Sequence, residues 1–215
     1  GKESRDDVAT AWPVAALHAT LDRSVAVPEA GAPIPPGWHW LYFLDTTRES
    51  DIGRDGLPKH GGFLPPVTQP RRMWAGGRIE FPGVLRVGDA LKRDSEVIAV
   101  EQKEGKRGKL VFVTVRHTVY AAGKLAVVEE HDIVYRDAAQ PGEAPPRARP
   151  APASAKWQRS LVADPIMLFR FSALIFNANR IHYDLAYVEE EGYGGLVVHG
   201  PLQTVLMLDL CREHG

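Results

Sequence analysis

The 215 residues carry 26 Lys+Arg against 27 Asp+Glu, for a formal net charge of −1, and 44% are hydrophobic. That length holds one large domain or two small ones and can bury a substantial core, while the near-neutral charge argues against a phosphate-backbone binder. The single cysteine, Cys211, excludes an internal disulfide and a cysteine-based zinc cluster. The longest apolar runs fall short of the ~20 residues that cross a bilayer, and no cationic start precedes an apolar core. Neither a membrane span nor a secretory signal is expected, and a reducing, cytoplasmic setting is the default.

Residues 5–22 predict a helix. Val8, Ala11, Ala15 and Leu17 supply a partial apolar face, and Pro13 either opens the helix or kinks it. After a Pro/Gly-rich break at 28–37, the aromatic run 39–44 predicts a short buried strand. Residues 45–70 form a long Gly/Pro-rich loop, a length that is often functional inside a domain. Three long strands follow at 89–103, 109–120 and 125–135, with turns at 105–108 and around Ala122-Gly123. In the middle strand Val111, Val113, Val115 and Val119 share one face, the mark of a sheet with one side buried; His117 falls among them and could face a pocket, though it reads better as a hydrogen-bonded structural histidine.

Residues 137–156 change composition sharply, with Pro141, Pro145, Pro146, Pro150 and Pro152 spaced by Ala, Arg and Ser. They predict an extended linker between an amino-terminal unit at 1–136 and a carboxyl-terminal unit at 157–215. Beyond it, 157–162 predicts a short strand. Asp164-Pro165 predicts a helix start, an N-cap followed by proline in the first turn. A short helix is expected at 184–190, capped by Asp184, and another from Gly200-Pro201 through Leu210. The run Glu189, Glu190, Glu191 reads as a solvated face. The class is α+β.

The segment Phe171-Ser-Ala-Leu-Ile-Phe-Asn-Ala-Asn-Arg-Ile-His-Tyr-Asp184, followed by Gly195-Leu-Val-Val-His-Gly-Pro-Leu-Gln203, resembles the MaoC-like hydratase/dehydratase family of hotdog-fold proteins. Trp38-His-Trp-Leu-Tyr-Phe43, Gly61-Gly-Phe-Leu-Pro-Pro66, Arg71-Arg-Met-Trp-Ala-Gly-Gly77 and Glu129-Glu-His-Asp-Ile-Val-Tyr135 are similar to the amino-terminal repeat of one branch. That branch holds double-hotdog proteins similar to mesaconyl-CoA and itaconyl-CoA hydratases and to fungal-type hydroxyacyl-thioester dehydratases.

The resemblance implies a double hotdog, with the second repeat incomplete where the chain stops after its second helix. It places Asn177 at the family's catalytic Asp position, Asn179 at the motif Asn, Arg180 at the motif Pro, His182 at the catalytic His and Gly200 at the glycine beside the thioester carbonyl. The amide of Asn177 cannot accept a proton and is left to orient water or substrate. His182, with an unperturbed pKa near neutrality, suits both water activation and protonation of the α-carbon.

Arg180 is a candidate for a substrate carboxylate, against a plain ion pair. Arg71 and Arg72 are candidates for CoA phosphates, as are Lys106, Arg107 and Lys109, which read better as solvated charge on a turn. Trp38, Trp40 and Trp74 are candidates for pocket lining or for core. His199 is a candidate substrate contact, though it reads better as structuring the loop before the last helix.

The implied activity is reversible hydration of an α,β-unsaturated acyl-CoA, or dehydration of a 3-hydroxyacyl thioester on CoA or a carrier protein. No metal or redox cofactor is expected, since CoA belongs to the substrate, and a homodimer fits the hotdog habit of pairing sheets. The competitors are a hotdog thioesterase, which needs a carboxylate where Asn177 stands, and a non-catalytic acyl-thioester-binding scaffold.

Overall fold

The computed structural model describes residues 1–105, 108–137, 150 and 154–215. Its strands are β1 (Lys2–Val8), β2 (Arg71–Glu80), β3 (Ala90–Gly105), β4 (Gly108–Ala121) and β5 (Lys124–Arg136). Its helices are α1 (Ala11–Thr20), α2 (Pro165–Leu174), α3 (Leu185–Glu190) and α4 (Gly200–His214), with 3-10 turns at Trp38–Leu41, Glu49–Asp51 and Arg180–His182. The strands form one antiparallel sheet in the order β1-β3-β4-β5-β2.

The three long strands stand where alternation and turn residues put them. Two corrections concern the amino-terminal part. Residues 5–8 belong to β1, and the helix begins at Ala11, with Pro13 in its first turn. Lys2–Val8 is a polar edge strand held by backbone pairing to β3, so it shows no strong apolar pattern. The predicted strand 39–44 is a 3-10 turn, entered through Gly37 at φ 83°. Trp38 and Leu41 are buried all the same, because an aromatic run signals burial without fixing its backbone. The strand predicted at 157–162 has no regular structure, whereas Arg71–Glu80, left without an element by the sequence, pairs with β5. The linker stretch, apart from Asp137, Pro150 and residues 154–156, lies outside the described residues, as do Lys106 and Arg107.

The sheet's inner face carries the core in two patches. At one end Leu91, Val119, Ala121 and Val127 pack on Val14 and Leu17 of α1, on Leu168 and Phe171 of α2, and on Leu202 and Val205 of α4. At the other, Val113, Val115 and Tyr135 pack under Phe63, Leu64 and Val67 of the long loop. Between the patches the same face turns polar: Ser95, His117 and Glu129 lie in one cross-strand row, with Arg93 and His131 beside it. The outer face is charged, with Arg78 and Arg116 gripping Glu130.

The long loop is anchored at the other half of the chain. Gly56 has φ 82°, and a Cβ there would meet the Ala178 carbonyl oxygen at 1.8 Å, so position 56 needs glycine for both backbone and space. The Arg180 backbone N–H donates to the Asp55 carbonyl at 2.9 Å.

Candidate active site

Local sequence builds the motif loop. Asp164 Oδ1 caps α2 by accepting from the Met167 N–H at 2.8 Å, with Pro165 in the first turn. The helix ends where Phe176 takes a left-handed φ of 49°, at a cost of about 1 kcal/mol for a residue with a Cβ. The Asn177 N–H then closes back on the Ser172 carbonyl at 2.8 Å. Two successive Asn turns follow. Asn177 Oδ1 accepts from the Asn179 N–H at 2.9 Å, and Asn179 Oδ1 from the Ile181 N–H at 3.4 Å. With its oxygen so engaged, Asn177 has its NH2 to offer elsewhere. The 3-10 turn Arg180–His182 delivers His182 into the interior, 6% exposed.

His182 Nδ1 lies 2.7 Å from the Val197 carbonyl oxygen, while the Val197 N–H donates to the Ile181 carbonyl at 2.9 Å. A carbonyl only accepts, so Nδ1 carries the proton and Nε2 of the neutral ring keeps its lone pair. His199, the residue before α4, stacks on His182 with ring centroids 3.6 Å apart. Its Nε2 is hydrogen-bonded to Ser172 Oγ at 2.8 Å and its Nδ1 has no partner. Burial first, then the neighbouring His182, push His199 down to about 3. Burial also lowers His182, against an upward pull from the Val197 carbonyl. At neutral pH both rings are uncharged, and His182 is a base with a fixed tautomer.

A cavity of about 620 Å³ opens between the halves. Ser172, Asn177, Ala178 and Pro201 wall it on one side, and His39, Trp40, Trp74, His117 and Glu129 on the other. The β-bulge between Trp74 and Gly76 sets the aim of the Trp74 indole. That indole lies on Gly200, where a Cβ would meet Trp74 Cε3 at 2.1 Å. Gly200 opens α4, whose first backbone N–H groups have no intrahelical partner and favour negative charge.

The structure thus gathers Asn177, His182, His199, Gly200 and Trp74, with Asn177 and Trp74 in the cavity wall itself. Asn179 shapes the loop. The arginines lie elsewhere. Arg180 Nε and Nη2 hold Asp184 Oδ2 at 2.9 and 2.7 Å, and its guanidinium covers Tyr187, so it forms the ion pair and not a cavity wall. Arg71 pairs with Glu191, and Arg72 donates to the Pro58 carbonyl. Arg71 thus ties the two halves, and Arg72 ties β2 to the long loop within the amino-terminal part. Two members of the 189–191 run are ion-paired: Glu190 with Arg54 and Glu191 with Arg71. Asp184 caps α3, as expected, accepting from the Tyr187 N–H at 3.1 Å. Trp38 is core; Trp40 reaches the wall. Among the described residues no three His, Cys, Asp or Glu side chains converge as metal ligands, and no helix is long and apolar enough to cross a membrane.

Sequence reasoning singled out His117 but missed the rest of the polar row on the sheet. Glu129, 4% exposed, accepts from Trp40 Nε1 at 3.0 Å and meets His39 Nε2 at 3.1 Å. Burial pulls this carboxyl up, but the His39 hydrogen bond, with His131 and Trp40, outweighs it and brings Glu129 down to about 2. His117 is pushed down to about 4, chiefly by burial, with its Nδ1 hydrogen-bonded to Ser95 Oγ at 2.8 Å. The signal was available: period-two alternation puts positions 117, 129 and 131 on the valine face.

The model of one family, hydroxyacyl-thioester dehydratase type 2, matches residues 37–215. The chain belongs to that family. Within it, the chain is 47% identical over 214 residues to mesaconyl-C(4)-CoA hydratase of Chloroflexus aurantiacus, covering 99% of this chain and 76% of that protein. It is 26% identical to the mitochondrial hydroxyacyl-thioester dehydratase type 2 of Schizosaccharomyces pombe, over 84% of this chain and 67% of the other. The fold is that of MaoC-like dehydratases. HtdX of Mycobacterium tuberculosis superposes with a TM-score of 0.61 at 16% identity, over 97% of this chain and 75% of that one. A MaoC-like dehydratase from Phytophthora capsici gives 0.60 at 10% identity, over 99% and 74%.

Proposed function

We propose that this member of the family is a hydro-lyase that adds water reversibly to the double bond of an α,β-unsaturated acyl-CoA, with a carboxylated substrate of the mesaconyl or itaconyl type preferred. The observation that carries the chemistry is the 2.7 Å contact of His182 Nδ1 with the Val197 carbonyl: an oxygen that only accepts assigns the proton to Nδ1 and leaves Nε2 to take a proton from water. Asn177, acting through its NH2 group, holds the oxygen of that water or of the product hydroxyl. As water adds to the β-carbon, negative charge passes to the thioester oxygen, and the backbone N–H groups at the start of α4 receive it. His182 then returns the proton to the α-carbon. For the carbonyl to reach Gly200, the Trp74 indole that covers it must move aside. The substrate supplies CoA, and a carrier protein bearing the same thioester serves the same chemistry.

In this reading residues 1–136 shape the acyl and CoA tunnel, 157–215 carry the reaction and 137–156 link them. A homodimer paired through its sheets and a cytoplasmic setting complete the proposal. Support for the substrate class is the 47% identity to a mesaconyl-C(4)-CoA hydratase over nearly all of the chain.

The test is incubation with crotonyl-, mesaconyl- and itaconyl-CoA, following loss of the enoyl-thioester absorbance and release of free CoA. Hydration without CoA release, lowered by about 10²–10⁴-fold in His182→Ala, is the expected result. CoA release would point to a thioesterase, and binding without turnover to a scaffold; either would overturn the proposal.

A further inference from the structure

The cavity wall holds a cation to which the reaction above assigns no work. Arg93 projects from β3 on the inner face, opposite Val119 in the β3–β4 register, and lines the cavity with His117 and Glu129. Its side chain is 19% exposed, and its Nε is buried without a hydrogen-bond partner. Among the described residues its nearest carboxylate oxygen, Glu3 Oε1, lies 3.6 Å from Nη2, an ion-pair separation beyond hydrogen-bond reach. Glu3 is also shared with Arg5, whose Nε stands 3.3 Å from the same oxygen.

The other acids near Arg93 are spoken for. Glu129 is hydrogen-bonded to His39 and Trp40, and Asp45 Oδ1 accepts from both the backbone N–H and the hydroxyl of Thr47, at 3.0 and 2.7 Å. The guanidinium rests instead on the face of Phe43, 5.1 Å from the ring centroid. Burial, and then the like charge of Arg5, pull Arg93 below the ordinary arginine range, against Glu3, Glu129 and Asp45. A guanidinium removed from water without a bonded counter-ion is costly, and an anion entering the cavity would recover that cost. Its planar fork fits a carboxylate with two parallel hydrogen bonds.

We propose that Arg93 is the residue that recognises the free carboxylate at the distal end of the acyl group, and so sets a preference for dicarboxylic over plain enoyl thioesters. The inference rests on the hydration reading for its substrate. It moves carboxylate recognition from Arg180, already bound to Asp184 and outside the cavity wall, to the sheet side of the cavity. The CoA phosphates are the other anionic source, and they are common to every CoA substrate, so a comparison of acyl groups separates the two.

Two measurements test it on the full chain and on Arg93→Met and Arg93→Lys. The first is kcat/KM for mesaconyl-CoA relative to crotonyl-CoA. The second needs no turnover: the Kd of succinyl-CoA relative to butyryl-CoA by calorimetry. In Arg93→Met both preferences are expected to fall by about 100-fold, the worth of one to two charge-assisted hydrogen bonds. Arg93→Lys, which keeps the cation without the fork, should retain part of both.

Unchanged ratios in Arg93→Met, including an equal loss on both partners of each pair, overturn the role of Arg93 while leaving hydration standing. If the unaltered chain hydrates none of these thioesters, the hydration reading fails, and the succinyl/butyryl ratio still decides the anion site. If Arg93→Met does not fold, Arg93→Lys decides: a preference reduced from that of the unaltered chain supports the site, and an unchanged one refutes it.

Discussion

Replacing Gly200 with alanine tests the contact that closes the candidate site. The added methyl would stand 2.1 Å from Trp74 Cε3 and 2.5 Å from Cζ3. Carbon atoms pack at about 3.5–4.0 Å, so the indole must retreat by roughly 1.5 Å. Overpacking of that kind costs about 1–3 kcal/mol, and removing a glycine from the first turn of α4 returns about 0.5–1 kcal/mol. The net loss is therefore up to about 2.5 kcal/mol, a fall in Tm of up to about 10 °C at this chain length.

The decisive assay is a double-mutant cycle read by thermal or urea melting. In a Trp74→Ala background the methyl meets empty space, and Gly200→Ala should become neutral or stabilising by about 0.5–1 kcal/mol. The coupling between the two positions should thus equal the overpacking cost, about 1–3 kcal/mol. A cost of Gly200→Ala that is the same with and without Trp74 would refute the seating of the indole on Gly200, and with it the claim that Trp74 must move for the thioester to reach α4.

Other outcomes follow from buried charge. Asp209, 1% exposed, is held by Arg23 Nη1 at 2.8 Å and by Arg212 at 3.4 Å. Arg23→Met leaves that carboxylate with the weaker partner and should cost about 2–4 kcal/mol in urea unfolding; a loss under about 0.5 kcal/mol would contradict the pairing. His199 and His117 are held at about 3 and about 4, below the usual 6.5 of a histidine. Because these native pKa values are depressed, their stability contribution is full above pH 6.5. It declines as pH falls from there toward the native values, since the unfolded chain binds the protons first. Each should add a slope of about 1.4 kcal/mol per pH unit in that window. Stability that stays flat between pH 6.5 and 5 would show that the two rings are not buried neutral.

Much of the framework is local and could be read directly. β3, β4 and β5 follow from alternating valines and short turns, and α2 and α3 from Asp caps whose oxygens meet backbone N–H groups within three residues. The motif loop was found through its resemblance to a family motif, and its shape is local: Asn177, Asn179 and His182 sit within six positions and are held by hydrogen bonds among themselves. Trp38–Leu41 was misread because aromatic burial does not distinguish a strand from a 3-10 turn. β1 was misread because an edge strand takes its order from its neighbour's backbone.

The amino-acid sequence by itself determined the α+β class and the central strands, since these rest on period-two patterning, caps and short-range turns, while the candidate catalytic loop was reached through its resemblance to a family motif. Only the tertiary structure decided which charges are free to act. Arg180 and Arg93 are alike as letters in a sequence, yet one is neutralised by Asp184 four residues on. The other is carried by sheet register to a cavity wall formed with residues roughly 80 positions away, such as Ser172 and Asn177, where no carboxylate of the described residues comes within hydrogen-bond reach. Pairing of that kind depends on distances across the sheet and between the halves, and desolvation turns those distances into chemistry.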